Sequence, residues 1–324
     1  MIDELRVISI DDEEQWNAAH EVGGLPSQTW RYAWALSASG IDPQLAVVHS
    51  GGARMLLPFF EREWLGTTDI ATIRGLSGAS ISPSSNAPLR LWREYAAQRG
   101  WVAGYIQLAT TVSLEAALAG DELVAHQRVF LLDLRSADVL HSASQIVRRK
   151  IRRAAKLGAI LVEDRSVVAE ALKRLYPATM QRVRARGVYG VSPATLERWV
   201  FDQSSIALGA RIGRSIEAVS LFCAAGPYSE YHINASTPFG RDLTAWLIWN
   251  AIERLRAAGV HVLNLGGGTR PGDGLSQFKE RFHGETRRLW AVRQIYDHAK
   301  YDELCRRAGV TCTRDWFPAY RAPA

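Results

Sequence analysis

SIALGARIGRSIEAVSLFCAAGPYSEYHINAS (Ser205–Ser236) reads as three consecutive strands, Ser205–Ile212, Ser215–Ala224 and Ser229–Ala235. A helix at Leu243–Ala258 and a strand at Val260–Leu265 follow, and the strand runs out into Gly266-Gly267-Gly268. Upstream, the pattern predicts a long amphipathic helix over Ser144–Leu157, a strand at Ala159–Val162, and helices at Val167–Arg186 and Pro193–Phe201. Downstream come a short helix at Leu275–Phe282, a strand at Arg287–Tyr296 and a closing helix from Ala299. The result is helices, an antiparallel meander, one helix and another strand.

The first half runs through a similar order more loosely. Leu5–Ser9 reads as a strand, and Asp11-Asp12-Glu13-Glu14 as the acidic first turn of a helix. Ser27 is placed to cap a second helix through Trp30, Tyr32, Trp34 and Leu36. Gln44–Val48 and Arg54–Phe60 form a hairpin around Ser50-Gly51-Gly52. A strand at Asp69–Arg74, a Ser, Gly and Pro-rich loop over 76–88, a helix at Leu89–Arg99 and strands near Trp101–Leu108 and Arg128–Leu134 complete it. The expected organisation is an α/β chain of two domains, 1–140 and 141–297, each a mixed, mostly antiparallel sheet flanked by helices. A tail, 298–324, follows.

The 324 residues are 47% hydrophobic and 22% charged, the profile of a globular protein. Three cysteines form no CxxC pair, and Met1-Ile2-Asp3-Glu4 carries acid where a signal peptide would be basic, so the expected setting is the cytoplasm. Net charge is +6, unevenly spread: residues 141–187 hold twelve Lys or Arg against three acids. Such a segment on an otherwise near-neutral chain suits a polyanionic partner.

Four groups of residues could carry chemistry. In the basic helix, Arg148, Arg152 and Lys156 share a face, with Arg149 and Arg153 beside them. Like charges at this spacing repel, so the face is either merely solvated or made for phosphate. In the strand Tyr228–Ser236, alternation sets Tyr231 and Ile233 on one face and His232, Asn234 and Ser236 on the other. That polar row could line a cleft; His232 is either a structural residue or a general base. The Gly266-Gly267-Gly268 turn either ends a strand or offers N–H donors to an anion. Lys279 is either a surface lysine paired with Glu280 or Glu285, or a cation for an oxyanion. The chain holds no G-x-S-x-G elbow, P-loop or Rossmann glycine fingerprint, and no metal-ligand cluster.

Taken together, several of these motifs resemble the Fem-type aminoacyltransferases of the GNAT acyltransferase superfamily. The basic run Arg149–Gly158 is similar to their R-x-x-I-R-x-A-x-x-G helix. Tyr176 with Thr179-Met180-x-Arg182, the strand Tyr231–Ser236, and Leu247–Gly259 in the pattern L-x-W-x-x-I-x-x-x-x-x-x-G continue the likeness. Gly266–Gly268 and Gly274-Leu275-x-x-Phe278-Lys279-x-x-Phe282 complete it, so the match covers nearly all of 141–296. The resemblance implies tandem GNAT-like domains with the tail, 298–324, returning to the first, and transfer of an amino acid from aminoacyl-tRNA to an amine of a peptidoglycan precursor or natural-product intermediate. It also implies that Phe278-Lys279 is the catalytic pair, and that Arg182, with Arg186 nearby, faces substrate phosphate.

On this reading the co-substrate is aminoacyl-tRNA, met by Arg148, Arg149, Arg152, Arg153 and Lys156, with no separate cofactor. Tyr231, His232, Asn234, Ser236 and the Gly266–Gly268 amides would position the acceptor. Two alternatives stand beside it: an acyl-CoA-dependent N-acyltransferase, and a non-catalytic RNA-binding protein of the same fold. Against CoA, the loop Thr237-Pro238-Phe239-Gly240-Arg241-Asp242 has one glycine and a proline where a pyrophosphate cradle would need free N–H groups.

Overall fold

The computed structural model describes residues 3–112, 123–136, 138–183, 190–268, 272–311 and 316–322. In chain order its elements begin with β1 (Glu4–Ser9), α1 (Glu13–Glu21), α2 (Trp30–Ser37), β2 (Pro43–Ser50), β3 (Ala53–Trp64), β4 (Thr67–Thr72), β5 (Ser80–Ser82), α3 (Ala87–Gln98) and β6 (Ala103–Gln107). Next come β7 (Leu123–Asp133), α4 (Val139–Ser142), α5 (Gln145–Lys156), β8 (Ile160–Val162), α6 (Arg165–Arg182), α7 (Pro193–Phe201), β9 (Ser205–Ile212) and β10 (Ser215–Ala225). The chain ends with β11 (Tyr228–Ser236), α8 (Thr244–Ala257), β12 (Val262–Asn264), α9 (Gly274–Glu280), β13 (Glu285–Ile295) and α10 (His298–Arg307).

These elements divide into two compact units built from discontinuous segments. One holds 1–24, 41–126 and 288–324, and the other holds 25–40 and 127–287. The division differs from consecutive blocks 1–140 and 141–297: α2 leaves the unit that surrounds it in sequence and packs on α7. The reason is visible in α2 itself. Tyr32, Ala33, Ala35 and Leu36 are buried, and Thr195 Oγ1 of α7 donates to the Ala35 carbonyl at 2.9 Å. The cap also differs from expectation, since Thr29 rather than Ser27 accepts from Tyr32 N, while Ser27 Oγ reaches buried Glu230 at 3.3 Å.

In the first unit the strands run β1-β2-β3-β4-β6-β13, antiparallel except for the parallel β4–β6 pair. The β2–β3 hairpin turns on Gly51 and Gly52, both at positive φ, as a tight two-residue hairpin requires. Part of the sequence-predicted loop 76–88 forms β5, which pairs with β3 beyond the end of β4. The C-terminal stretch is held by buried Asp69, which accepts from Tyr320 Oη (2.9 Å), Arg321 Nε (2.6 Å) and Arg62 Nε (2.6 Å).

In the second unit the order is β7-β12-β11-β10-β9-β8, antiparallel except for the parallel β11–β12 pair bridged by α8. The face bearing Leu208, Ala210, Ala218 and Phe222 packs against α8 and the apolar stripe Val147 and Ala154 of α5. α6 covers the opposite face, where its Val168 approaches Gly209. Among the described residues, no helix is long and apolar enough to cross a membrane.

Candidate active site

Both units contain two parallel strands joined through a helix, and among the described residues those of the second stay open past their last pair. β11 and β12 pair at Tyr228–Val262, Ser229–Leu263 and Glu230–Asn264, and there the pairing ends. Past that point the β12 side turns to β7: Leu265 N donates to the Phe130 carbonyl at 2.9 Å, and Phe130 N to that of Gly266 at 3.3 Å. At the far end of β11, Thr179 Oγ1 holds both the N–H (3.0 Å) and the carbonyl (3.2 Å) of Ser236, and Arg182 Nη1 donates to the same carbonyl at 2.9 Å. In the first unit the equivalent gap is filled by the chain itself. Thr72 Oγ1 accepts from Gln107 N, Gln107 Nε2 donates to the Gly75 carbonyl, and Ala79 bridges Leu108 in line with β4.

The edge of the opening is shaped by a β-bulge. Leu221 pairs with Ile233 and Phe222 with Tyr231, so His232 is the extra residue of the bulge. Regular alternation had set Tyr231 with Ile233, apart from His232, Asn234 and Ser236. The bulge reverses this: Tyr231 opposite Phe222 and Asn234 opposite Ser220 now share a face, because 220 and 222 do. Asn234 Nδ2 donates to Ser220 Oγ at 3.2 Å. The His232 ring instead lies against Tyr32 and Trp199, with centroids 5.0 and 4.4 Å away.

Lys279 is 7% exposed, so it is not the surface lysine that its charged neighbours suggested. Glu280 and Glu285 are exposed, and Glu285 pairs with Arg287 at 2.7 Å. Asp273 caps α9 by accepting from Ser276 N at 2.7 Å, and the helix carries Lys279 inward. Its Nζ donates to the Gly267 carbonyl at 2.8 Å and lies 5.8 Å from the centre of the Tyr231 ring. Burial pushes the Lys279 pKa down to about 7, with Asp273 pulling weakly the other way. The Tyr231 hydroxyl is buried without a hydrogen-bond partner. Desolvation raises that phenol well above its usual range, and the nearby Ser220 hydroxyl opposes the shift without reaching ordinary bonding geometry. Phe278 is half-buried and packs edge-on against Phe282 at 5.5 Å, a packing residue beside the lysine.

The glycines serve close approach. A side chain on Gly267 would run into the Arg128 carbonyl, and one on Gly268 into the Asp273 carboxylate. Gly266 N donates to Asn264 Oδ1 at 2.8 Å, so this amide is spent inside the protein rather than offered to an anion. Residues 269–271, which follow the turn, lie outside the described residues, as does Arg186.

On α5, the absence of acids within the helix is made up from elsewhere. Asp242 bonds Lys150 at 3.0 Å and Arg153 at 3.1 Å, and these contacts hold its carboxyl below the usual range. Arg148 Nη1 donates to the His141 carbonyl at 2.9 Å, while Arg149, Arg152 and Lys156 are exposed. In the loop before α8, Gly240 N donates to Thr237 Oγ1 at 2.9 Å, and a side chain at Gly240 would meet the Glu217 carbonyl. Cys223 is buried within β10, and desolvation pushes its thiol up, away from nucleophilic use. The sequence gives no role of their own to Asp242, Asn264 and Ser220, although Asn264 stands as the polar residue just before the glycines.

No protein-family model matches the chain, and no curated protein matches it by sequence. Its structure is similar to that of FemX, with 14% identity, TM-score 0.66, and 93% of this chain and 99% of FemX covered. It is also similar to L-PGS from Bacillus licheniformis: 13% identity, TM-score 0.56, and 87% and 91% covered. A third similar structure is the C-terminal domain of a protein described as a lysylphosphatidylglycerol synthetase from Agrobacterium fabrum, with 16% identity, TM-score 0.60, and 90% and 93% covered. The chain therefore shares the fold of FemX, a mixed and mostly antiparallel α/β architecture, along nearly its whole length.

Proposed function

We propose that the chain is an acyl-transferring enzyme that moves an aminoacyl group from the 3′ ester of aminoacyl-tRNA to a substrate amine. The observation that carries this is Lys279, a buried ammonium at the open end of the β11–β12 pair beside the unpartnered Tyr231 hydroxyl. The acceptor nitrogen attacks the ester carbonyl, whose oxygen becomes an oxyanion in a tetrahedral intermediate. A fixed cation in a desolvated site lowers that barrier electrostatically. The bond to the ribose oxygen then breaks and the nitrogen's proton passes to it, leaving an amide and a free tRNA hydroxyl. Lys279 stabilises the oxyanion or the leaving oxygen; Tyr231 and Asn234, on one face of β11, orient the acceptor.

The exposed Arg149, Arg152 and Lys156 supply phosphate contacts for the tRNA. Acyl-CoA is less well served, because Pro238 has no N–H and that of Gly240 is already bonded to Thr237. The fold shared with FemX and the lysylphosphatidylglycerol synthetase domain supports an acyltransferase reading. The test is to incubate the protein with labelled aminoacyl-tRNA or labelled acetyl-CoA and follow label into amines and lipid. Transfer from charged tRNA, lost in Lys279→Ala, is expected. Transfer from CoA alone would replace the donor, and transfer from neither would leave an RNA-binding protein.

A further inference from the structure

The unit that carries the site borrows α2 from far upstream, and Tyr32 of α2 meets His232 of β11. Tyr32 is buried and stacks on buried Trp199 of α7, with ring centres 5.2 Å apart. Trp199 Nε1 donates to the Tyr32 carbonyl at 3.2 Å. Two more ties fix α2 to α7: Thr195 Oγ1 to the Ala35 carbonyl at 2.9 Å, and Arg198 Nη1 to the Trp34 carbonyl at 3.0 Å. The His232 ring sits edge-on against both aromatics, at 88° to Trp199 and 70° to Tyr32, and the Tyr32 hydroxyl lies 3.3 Å from Nε2.

His232 is also the extra residue of the bulge. A bulge leaves one residue without a ladder partner, and that residue needs other contacts to hold it in place. Strand side chains alternate with a period of two, so a regular strand through 231–234 would send Tyr231 and Asn234 to opposite faces. Only the insertion of one residue between them brings both to the same side.

We infer that His232 is a positioning residue: its ring, seated in the Tyr32–Trp199 notch, holds the β11 bulge, and the bulge delivers Tyr231 to the Lys279 side together with Asn234. The inference rests on the roles proposed above for Tyr231 and Lys279. The imidazole itself faces the aromatic notch and acts through the strand, so the work is done by ring packing rather than by proton transfer.

Two substitutions and two readouts test this. His232→Ala removes the ring; His232→Phe keeps an aromatic edge in the notch and removes both nitrogens. The first readout is the crystal structure of each variant. In His232→Ala the bulge is expected to relax and Tyr231 to leave its place opposite Phe222; in His232→Phe both are expected to stay. An unchanged bulge in His232→Ala would overturn the inference. The second readout is aminoacyl transfer, with kcat at least tenfold lower in His232→Ala, KM changed less than kcat, and His232→Phe within about threefold of the wild type. Loss of activity in His232→Phe with its bulge intact would assign the imidazole a chemical role and also overturn the inference. If His232→Ala fails to fold, the Phe variant and Tyr32→Ala carry the same two readouts. Should the wild type transfer nothing from any donor, the proposed reaction fails while the crystal structures still decide the role of the bulge.

Discussion

Lys279 Nζ donates to the Gly267 carbonyl at 2.8 Å, so the turn that follows β12 holds the lysine that the following helix supplies. Both partners are buried, and the contact leaves the ammonium with little solvent to replace what it lost.

Burying the Lys279 ammonium costs stability. Its folded pKa of about 7 lies below the ordinary value of 10.5, so between these pH values the unfolded chain binds more protons and stability rises with pH. At pH 7 and below the full burial penalty applies, on the order of 5 kcal/mol; above about 10.5 it is gone. Lys279→Met removes the penalty but orphans the Gly267 carbonyl at a cost of about 1–3 kcal/mol. Urea unfolding should find the variant more stable by ~2–4 kcal/mol at pH 7 and the gap closing by pH 10, while transfer activity falls at least tenfold.

The rate should carry the same titration. If the protonated amine stabilises the oxyanion, kcat/KM, which reports the free enzyme, falls as pH rises through about 7. Lys279→Arg should retain part of the activity and lose this falling limb, because a guanidinium stays charged. A rising limb instead would make Lys279 a base.

Asp242 restrains the basic helix. Asp242→Asn releases Lys150 and Arg153 from their pairing. It should cost less than about 1 kcal/mol in stability, since these pairs are partly exposed. Affinity for tRNA should increase, with a steeper dependence on salt. Arg152→Ala should act in the opposite sense, reducing the slope of log K against log salt by about one. Filter binding or anisotropy between 50 and 200 mM salt measures both.

Gly267→Ala tests close approach independently of charge. The added methyl meets the Arg128 carbonyl on β7, and relief requires backbone movement. Thermal melts should show a loss of about 1–3 kcal/mol, and the Lys279 contact should move with the turn.

The C-terminal stretch offers a check away from the site. Asp69→Ala leaves Arg62 and Arg321 facing each other without a buried carboxylate. A loss of about 3–5 kcal/mol is expected, with proteolysis advancing first into 316–322.

Much of the fold was legible because strand and helix periods are local properties. Pro193–Phe201 forms as read, α5 and β9–β11 fall within a residue or two of their expected limits, and the Gly51-Gly52 hairpin closes where its residues require. The Phe278-Lys279 motif was legible only through resemblance, since a lysine flanked by charges looks solvated until its burial is known. Three things needed the tertiary structure. The bulge at His232 depends on aromatic partners at 32 and 199, which no strand pattern contains. The transfer of α2 to the other unit depends on which surface buries Tyr32. The pairing of Asp242 with α5 joins residues about ninety positions apart. Sequence alone determined which segments form strands and helices, because the spacing of apolar side chains sets each segment's buried face. Which side chains meet at the β11–β12 opening was decided by long-range packing, because one extra residue in a strand reverses every face beyond it.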